Sequence, residues 1–218
     1  MHSFLIILQN ELLVSFRNMG KIISSFLFFI ILISAFSILG QNNVQEDFQR
    51  FYLTTLIWLS LISCITFSTS EFLKKDFQDG TIEQMLTSID NFEIFILAKM
   101  LANWLIYSLP AIFAIFIINL TSEFKQPNLA SFLVIILLAT IIINFICTFC
   151  GSLSILENSA SMISVIALPL IIPILLIAYS GLDEANTASS IKLLCGLGVL
   201  IASVSTFATA KIVKIAAE

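Results

Sequence analysis

The chain has 218 residues, 59% of them hydrophobic and 11% charged, with 10 Lys+Arg against 14 Asp+Glu. A soluble domain is about 45–50% apolar and about 25% charged, so this composition excludes an ordinary water-soluble fold and points to a membrane protein. At ~20 apolar residues per bilayer-crossing helix plus short connections, about six crossings use nearly the whole length and leave no room for a nucleotide-binding domain. The net charge of −4, with no dense basic patch, argues against a nucleic-acid partner.

Residues 1–21 carry Phe4, Leu5, Leu8, Leu12, Phe16 and Met19 at helical spacing, with Ser3, Asn10, Arg17, Asn18 and Lys21 opposite. That pattern predicts an amphipathic helix lying in the headgroup plane. The basic residues follow the apolar run rather than precede it, so the segment does not read as a secretory signal. The pair Gly20-Lys21 is no phosphate-binding loop, because Ser15 stands where the first glycine is needed and Ile22 where the Mg²⁺-binding hydroxyl is needed. The chain is therefore expected to be no enzyme, and any energy from ATP to be supplied by a separate subunit.

Six apolar runs follow, at 22–40, 51–70, 95–120, 129–153, 159–180 and 191–210, each long enough to cross ~30 Å of hydrocarbon. The expected fold is all-α, a single transmembrane domain over 1–218 with six membrane helices. Lys99, one turn into the third run, is expected to snorkel to the interface. Arg17, Lys21, Lys74, Lys75, Lys99, Lys211 and Lys214 fall on the side of the N-terminus, against Arg50, Lys125 and Lys192 on the other, which predicts cytoplasmic termini. The loop holding Glu157 is placed inside by parity. Pro110, Pro169 and Pro173 lie within runs, where each removes a backbone hydrogen bond. They are candidate hinges, with packing shape as the alternative, and the run holding Pro169 and Pro173 is expected to bend or break.

The long polar connection, 71–93, is more structured than a linker. Asp79-Gly80 permits a turn with positive φ, and Thr81 with Gln84 forms a capping-box pattern that starts a short helix. Ile82, Met85 and Leu86 share one face of it, away from Glu83 and Gln84. Asp90 to Glu93 gives the next helix an acidic first turn. Two readings fit: an interfacial helix settled in headgroups, or a coupling helix that docks into a groove on a cytoplasmic partner. The excess of Asp76, Asp79, Glu83, Asp90 and Glu93 over Lys74 and Lys75 suits anionic lipid poorly and favours the second.

Other candidates are weaker. Cys147 and Cys150 form a C-x-x-C without a second pair or a βα context, and read as small packing residues like Cys64 and Cys195. His2 is the sole histidine, so neither a His-ligated haem nor a His-based metal site is expected within the membrane, and no cofactor is assigned. Asn103, Asn144, Trp58 and Trp104 read first as glue between helices, with Trp104 a possible wall for a flat aromatic ligand.

Lys75-Asp76-Phe77-Gln78-Asp79-Gly80-Thr81-Ile82-Glu83-Gln84-Met85-Leu86 resembles the CcmB family, the haem exporter B proteins of system I cytochrome c maturation, within the ABC-2-type permeases. The likeness continues in Leu97-Ala98-Lys99, Trp104, Leu109-Pro110, Leu168-Pro169-Leu170, Pro173 and Phe207-Ala208-Thr209-Ala210. It departs where the family's fourth membrane helix is glycine-rich and its following loop basic; here Asn144, Cys147 and Cys150 occupy the helix and Glu157 the loop. The resemblance implies a six-helix permease subunit, two copies of which pair with the ATPase CcmA and associate with CcmC, CcmD and the haem chaperone CcmE in a bacterial inner membrane, or in a mitochondrial one. It implies haem export or ATP-driven release of the haem-loaded chaperone. It also makes 71–93 the coupling element, with Asp76, Gln78, Asp79, Gly80, Thr81, Glu83 and Gln84 contacting the ATPase. A non-transporting scaffold for haem-handling subunits is the alternative. An ion-coupled transporter fits poorly, because ion relays generally use mid-membrane charges and the runs lack them.

Overall fold

The computed structural model describes residues 2–17, 23, 27, 30, 31, 34, 46–88, 91–121, 128–157, 161–183 and 185–217. Among these, every regular element is a helix: α1 (His2–Arg17), α2 (Glu46–Gln78), α3 (Thr81–Ser88), α4 (Phe92–Thr121), α5 (Leu129–Glu157), α6 (Ser161–Ser180) and α7 (Thr187–Ala217). Three segments are long and apolar enough to cross a membrane, Phe92–Phe113, Leu129–Ile155 and Thr187–Ala217. Shorter apolar stretches occur at Phe4–Val14, Thr54–Thr66 and Val165–Ser180. The expected run 22–40 lies mostly outside the described residues; Ile23, Leu27, Ile30, Ile31 and Ser34 are helical and exposed.

Helix α5 is the hub. It packs on α7, α6, α2 and α4, most extensively on α7. Its inward positions are Ile135, Ala139, Ile142, Ile143, Ile146, Cys147 and Cys150, all buried, and they meet Ile57, Leu61 and Ile65 of α2, Ala167, Ile171 and Ile174 of α6, and Leu194 of α7 in one core cluster. With little water-driven force between helices in lipid, such contacts hold by close van der Waals packing and by hydrogen bonds across the interface. The expected packing role of the C-x-x-C pair matches the burial of both thiols; Cys64 is buried too, but Cys195 is exposed on α7.

Asn103, Trp104, Thr140 and Asn144 carry hydrogen bonds between α4 and α5. Asn103 Nδ2 of α4 donates to Asn144 Oδ1 of α5 at 2.8 Å, and Asn144 Nδ2 donates to the Met100 carbonyl at 2.9 Å. Trp104 Nε1 donates to Thr140 Oγ1 at 3.2 Å, so this indole is tied to α5 rather than left to face a ligand. These pairs also fix direction. Met100 and Asn103 meet Asn144 while Trp104 meets Thr140, so α4 and α5 run antiparallel and the Glu157 end of α5 lies toward the Phe92 end of α4.

Helix α6 is continuous from Ser161 to Ser180 through both prolines, so the expected interruption does not occur. Pro169 and Pro173 share an exposed stripe with Val165 and Leu176. The backbone bonds they delete therefore lie on the outward side, where the inward packing of α6 on α5 is undisturbed. Pro110 likewise sits within the unbroken α4.

Beyond α6 the chain turns tightly at Gly181, where an added Cβ would stand 2.8 Å from Ile135 Cδ1 and 2.8 Å from Ser190 Cβ. Gly196 on α7 has open space. We expect Gly181→Ala to destabilise the purified chain by about 1–3 kcal/mol through overpacking, and Gly196→Ala to be neutral or slightly stabilising; unfolding midpoints in detergent measure both. In a double-mutant cycle, Asn103→Ala and Asn144→Ala should be non-additive, with a coupling of about 0.6–2 kcal/mol.

Candidate functional site: the turn between the second and fourth helices

Helix α2 is 33 residues long, about 50 Å at 1.5 Å per residue, well over the ~30 Å of hydrocarbon. Its last turns run on past the apolar stretch Thr54–Thr66 and carry the turn at Asp79-Gly80. Gly80 has φ +72°, as the Asp79-Gly80 pair predicts, and its N–H donates to the Phe77 carbonyl at 3.3 Å. The Gly80 carbonyl then accepts the Gln84 N–H at 3.2 Å and opens α3. Thr81 is thus the first residue of α3 and Gly80 its cap, a correction to the expected Thr81 capping box. Glycine fills that place because its left-handed backbone turns the carbonyl along the new helix axis.

The two sides of α3 differ sharply. Ile82 is wholly buried in a second cluster with Phe92, Phe95, Ile96 and Met100 of α4, Phe145 of α5, and Ala210 and Val213 of α7, with Phe77, Met85 and Leu86 packed around it. Gln78, Asp79, Glu83, Gln84, Thr87 and Ser88 are exposed. The predicted separation of Ile82, Met85 and Leu86 from Glu83 and Gln84 is therefore present, and the apolar side faces the chain's own helices. Of the seven residues expected to contact a partner, Gln78, Asp79, Glu83 and Gln84 form one exposed polar face, Gly80 and Thr81 shape the turn half-buried, and Asp76 points elsewhere. Asp90 lies outside the described residues; Glu93 is in the first turn of α4 and holds Lys214 of α7 at 3.4 Å, over the Phe92 ring.

Asp76 faces Lys99. That lysine does not snorkel: its side chain is 2% exposed and its ammonium lies between Glu11 Oε1 of α1, at 2.8 Å, and Asp76 Oδ2 of α2. The Glu11 contact is also a directed hydrogen bond, whereas the Asp76 contact is an ion pair without hydrogen-bond geometry. Phe95, one turn earlier, places its ring centroid 5.4 Å from the same nitrogen. Burial without partners would cost several kcal/mol, and two carboxylates offset that cost better than the long reach to an interface would. The signals were in the sequence: a lysine inside an apolar run, and a lone acid, Glu11, at helical spacing from Phe4, Ile7 and Leu8.

Helix α1 is set accordingly. Phe4, Ile7, Leu8, Glu11 and Leu12 are half-buried, and α1 packs on α4, while Leu5, Ile6, Leu13 and Val14 are exposed beside Gln9 and Asn10. Leu5 thus leaves the expected stripe and Glu11 joins it, drawn in by Lys99.

Toward the opposite end, a groove of about 290 Å³ between α4 and α5 is lined by Leu109, Ile112, Phe113, Phe116, Leu133, Val134 and Leu137. It offers a hydrocarbon chain contact and a carboxylate nothing to bond to. Among the described residues no cluster of His, Cys, Asp or Glu is arranged to hold a metal ion.

The sequence matches the family described as CcmB protein over residues 2–216. Heme exporter protein B of Haemophilus influenzae is 24% identical over 220 residues, covering 99% of this chain and 99% of its own length. The protein of that name from Pseudomonas aeruginosa is 23% identical over 217 residues, 97% of this chain and 96% of the relative. The one from Escherichia coli strain K12 is 25% identical over 217 residues, 97% and 98% respectively. Because the match runs through α1, the Gly80 turn and α7 alike, the chain belongs to the CcmB protein family.

Proposed function

We propose that this chain is the permease subunit of an ABC-type complex serving haem export or cytochrome c maturation, and that a separate ATPase acts on it through the 76–88 element. The observation that carries this reading is the division of α3. Its apolar side is turned to the chain's own helices, with Ile82 wholly buried and Met85 and Leu86 packed against the cluster from α4, α5 and α7, so it has less to gain from lipid headgroups, while Gln78, Asp79, Glu83 and Gln84 present an exposed acidic, hydrogen-bonding face. A short helix seated rigidly on the bundle and polar outside suits reception of a push. The relatives' name, heme exporter protein B, supplies the haem context.

Six crossings follow on this reading, from α2, α4, α5, α6 and α7 together with the 22–40 run. The N-terminus, α3, Glu157 and the C-terminus then share the cytoplasmic side of a bacterial inner membrane, with CcmA as the ATPase, CcmC, CcmD and CcmE as neighbours, and two copies in the particle. The ion pairs Lys99–Glu11 and Lys214–Glu93 favour this arrangement, since they gather α1, the end of α2, the start of α4 and the end of α7 at one end of the bundle.

Cysteines placed singly at Asp79, Glu83 and Gln84 in a Cys195→Ser background should crosslink to the ATP-hydrolysing subunit in native membranes, with yields that change on adding nucleotide. Crosslinks to lipid-facing probes alone would overturn the reading, and maturation supported by a hydrolysis-dead partner would favour a passive scaffold. At Gly80 an added Cβ meets nothing within 4 Å, so substitution costs are conformational: Gly80→Asn should be tolerated, Gly80→Ala should cost about 1–2 kcal/mol, and Gly80→Val more. Cytochrome c maturation at equal membrane levels of the protein should fall in that order.

A further inference from the structure

We propose that Lys99 is the positioning residue of the coupling element, a shared ion-pair partner that joins α1 to the last turn of α2 so that the two move together. The geometry of the join is independent of what drives it; only its use in coupling rests on the function proposed above. Three elements far apart in sequence converge on one ammonium: Glu11 from α1, Asp76 three residues before the Asp79-Gly80 turn, and Lys99 itself from α4. Ile7 of α1 and Phe77 of α2 pack on the same cluster that holds Ile82, so the ion pairs and the apolar contacts reinforce one arrangement.

An apolar side chain as long as lysine would fill the site without naming any particular register between α1 and α2. An ammonium shared by two carboxylates does name one, because each acid must end at the same point. A displacement of the turn that draws Asp76 away breaks one of the two ion pairs and keeps the one to Glu11, and a displacement of α1 does the converse. On its outer side α1 keeps Leu5, Ile6, Leu13 and Val14 exposed. A push received at Glu83 and Gln84 is thereby passed to a helix whose outer surface is apolar.

The test measures the distance between spin labels at exposed Gln9 on α1 and exposed Gln84 on α3, in the assembled complex in native-lipid nanodiscs with Cys195→Ser. The unsubstituted chain should give one narrow distribution. Glu11→Gln and Lys99→Met should widen it about twofold or more, since each removes a charge from the pairing, whereas Lys99→Arg should keep it narrow. Maturation should fall with the widening at comparable membrane levels, and the charge-retaining variant should rescue both. If Lys99→Met fails to accumulate, Glu11→Gln alone decides. A distribution unchanged in Glu11→Gln overturns the proposal, as does one in Lys99→Arg as broad as in Lys99→Met, which would make packing and not charge the determinant. Absent crosslinks from Glu83 with a charge-dependent distance would sink the coupling reading and leave the join standing; the reverse result would do the opposite.

Discussion

An ammonium removed from water must be met by carboxylates or it destabilises the fold by several kcal/mol, and Lys99 is such a group. Its burial obliges Glu11 and Asp76 to arrive from two other helices. Asp76 in turn fixes the end of α2, from which the Gly80 turn and α3 depend, and Glu11 fixes the face that α1 gives to α4. The apolar cluster around Ile82, against which Ile7 and Phe77 also pack, agrees with the same arrangement.

The rest of the bundle is organised by α5, whose inward side is surrounded by four helices. Thr148, Ser152 and Ser154 bond back to carbonyls of α5 itself, while Asn144 and Thr140 find partners on α4. Asn144 joins the amide of Asn103 to the backbone of Met100, and Thr140 takes the indole N–H of Trp104. Hydrogen bonds that cross from α4 to α5 hold the two helices at the level where the Lys99 end begins.

Much of this was legible in the sequence because it rests on local rules. The helix, turn and short helix of 71–88 follow from Asp79-Gly80 and from the spacing of Ile82, Met85 and Leu86, and five of the apolar runs coincide with helices. What local rules could not give were relations between distant residues. Lys99 near the start of an apolar run suits the interface as well as the interior, and only Glu11, 88 residues earlier, decides for the interior. Asp76 likewise looks like another member of an acidic surface until the lysine opposite it is known. The prolines of α6 are a similar case: the helix runs through both without a break, and the outward stripe of Val165, Pro169, Pro173 and Leu176 depends on how the helix is rotated against α5.

Anchorage and exposure occupy opposite sides of the two turns of α3. Gln78, Glu83, Gln84 and Thr87 stay clear of the seat of Ile82, so substitution there alters what the outer rim presents without loosening the helix beneath it. The keel beneath has no such freedom, since Ile82 answers to residues of three helices at once. A change at the rim and a change at the keel therefore register differently, the first in what the helix displays and the second in whether it stays seated.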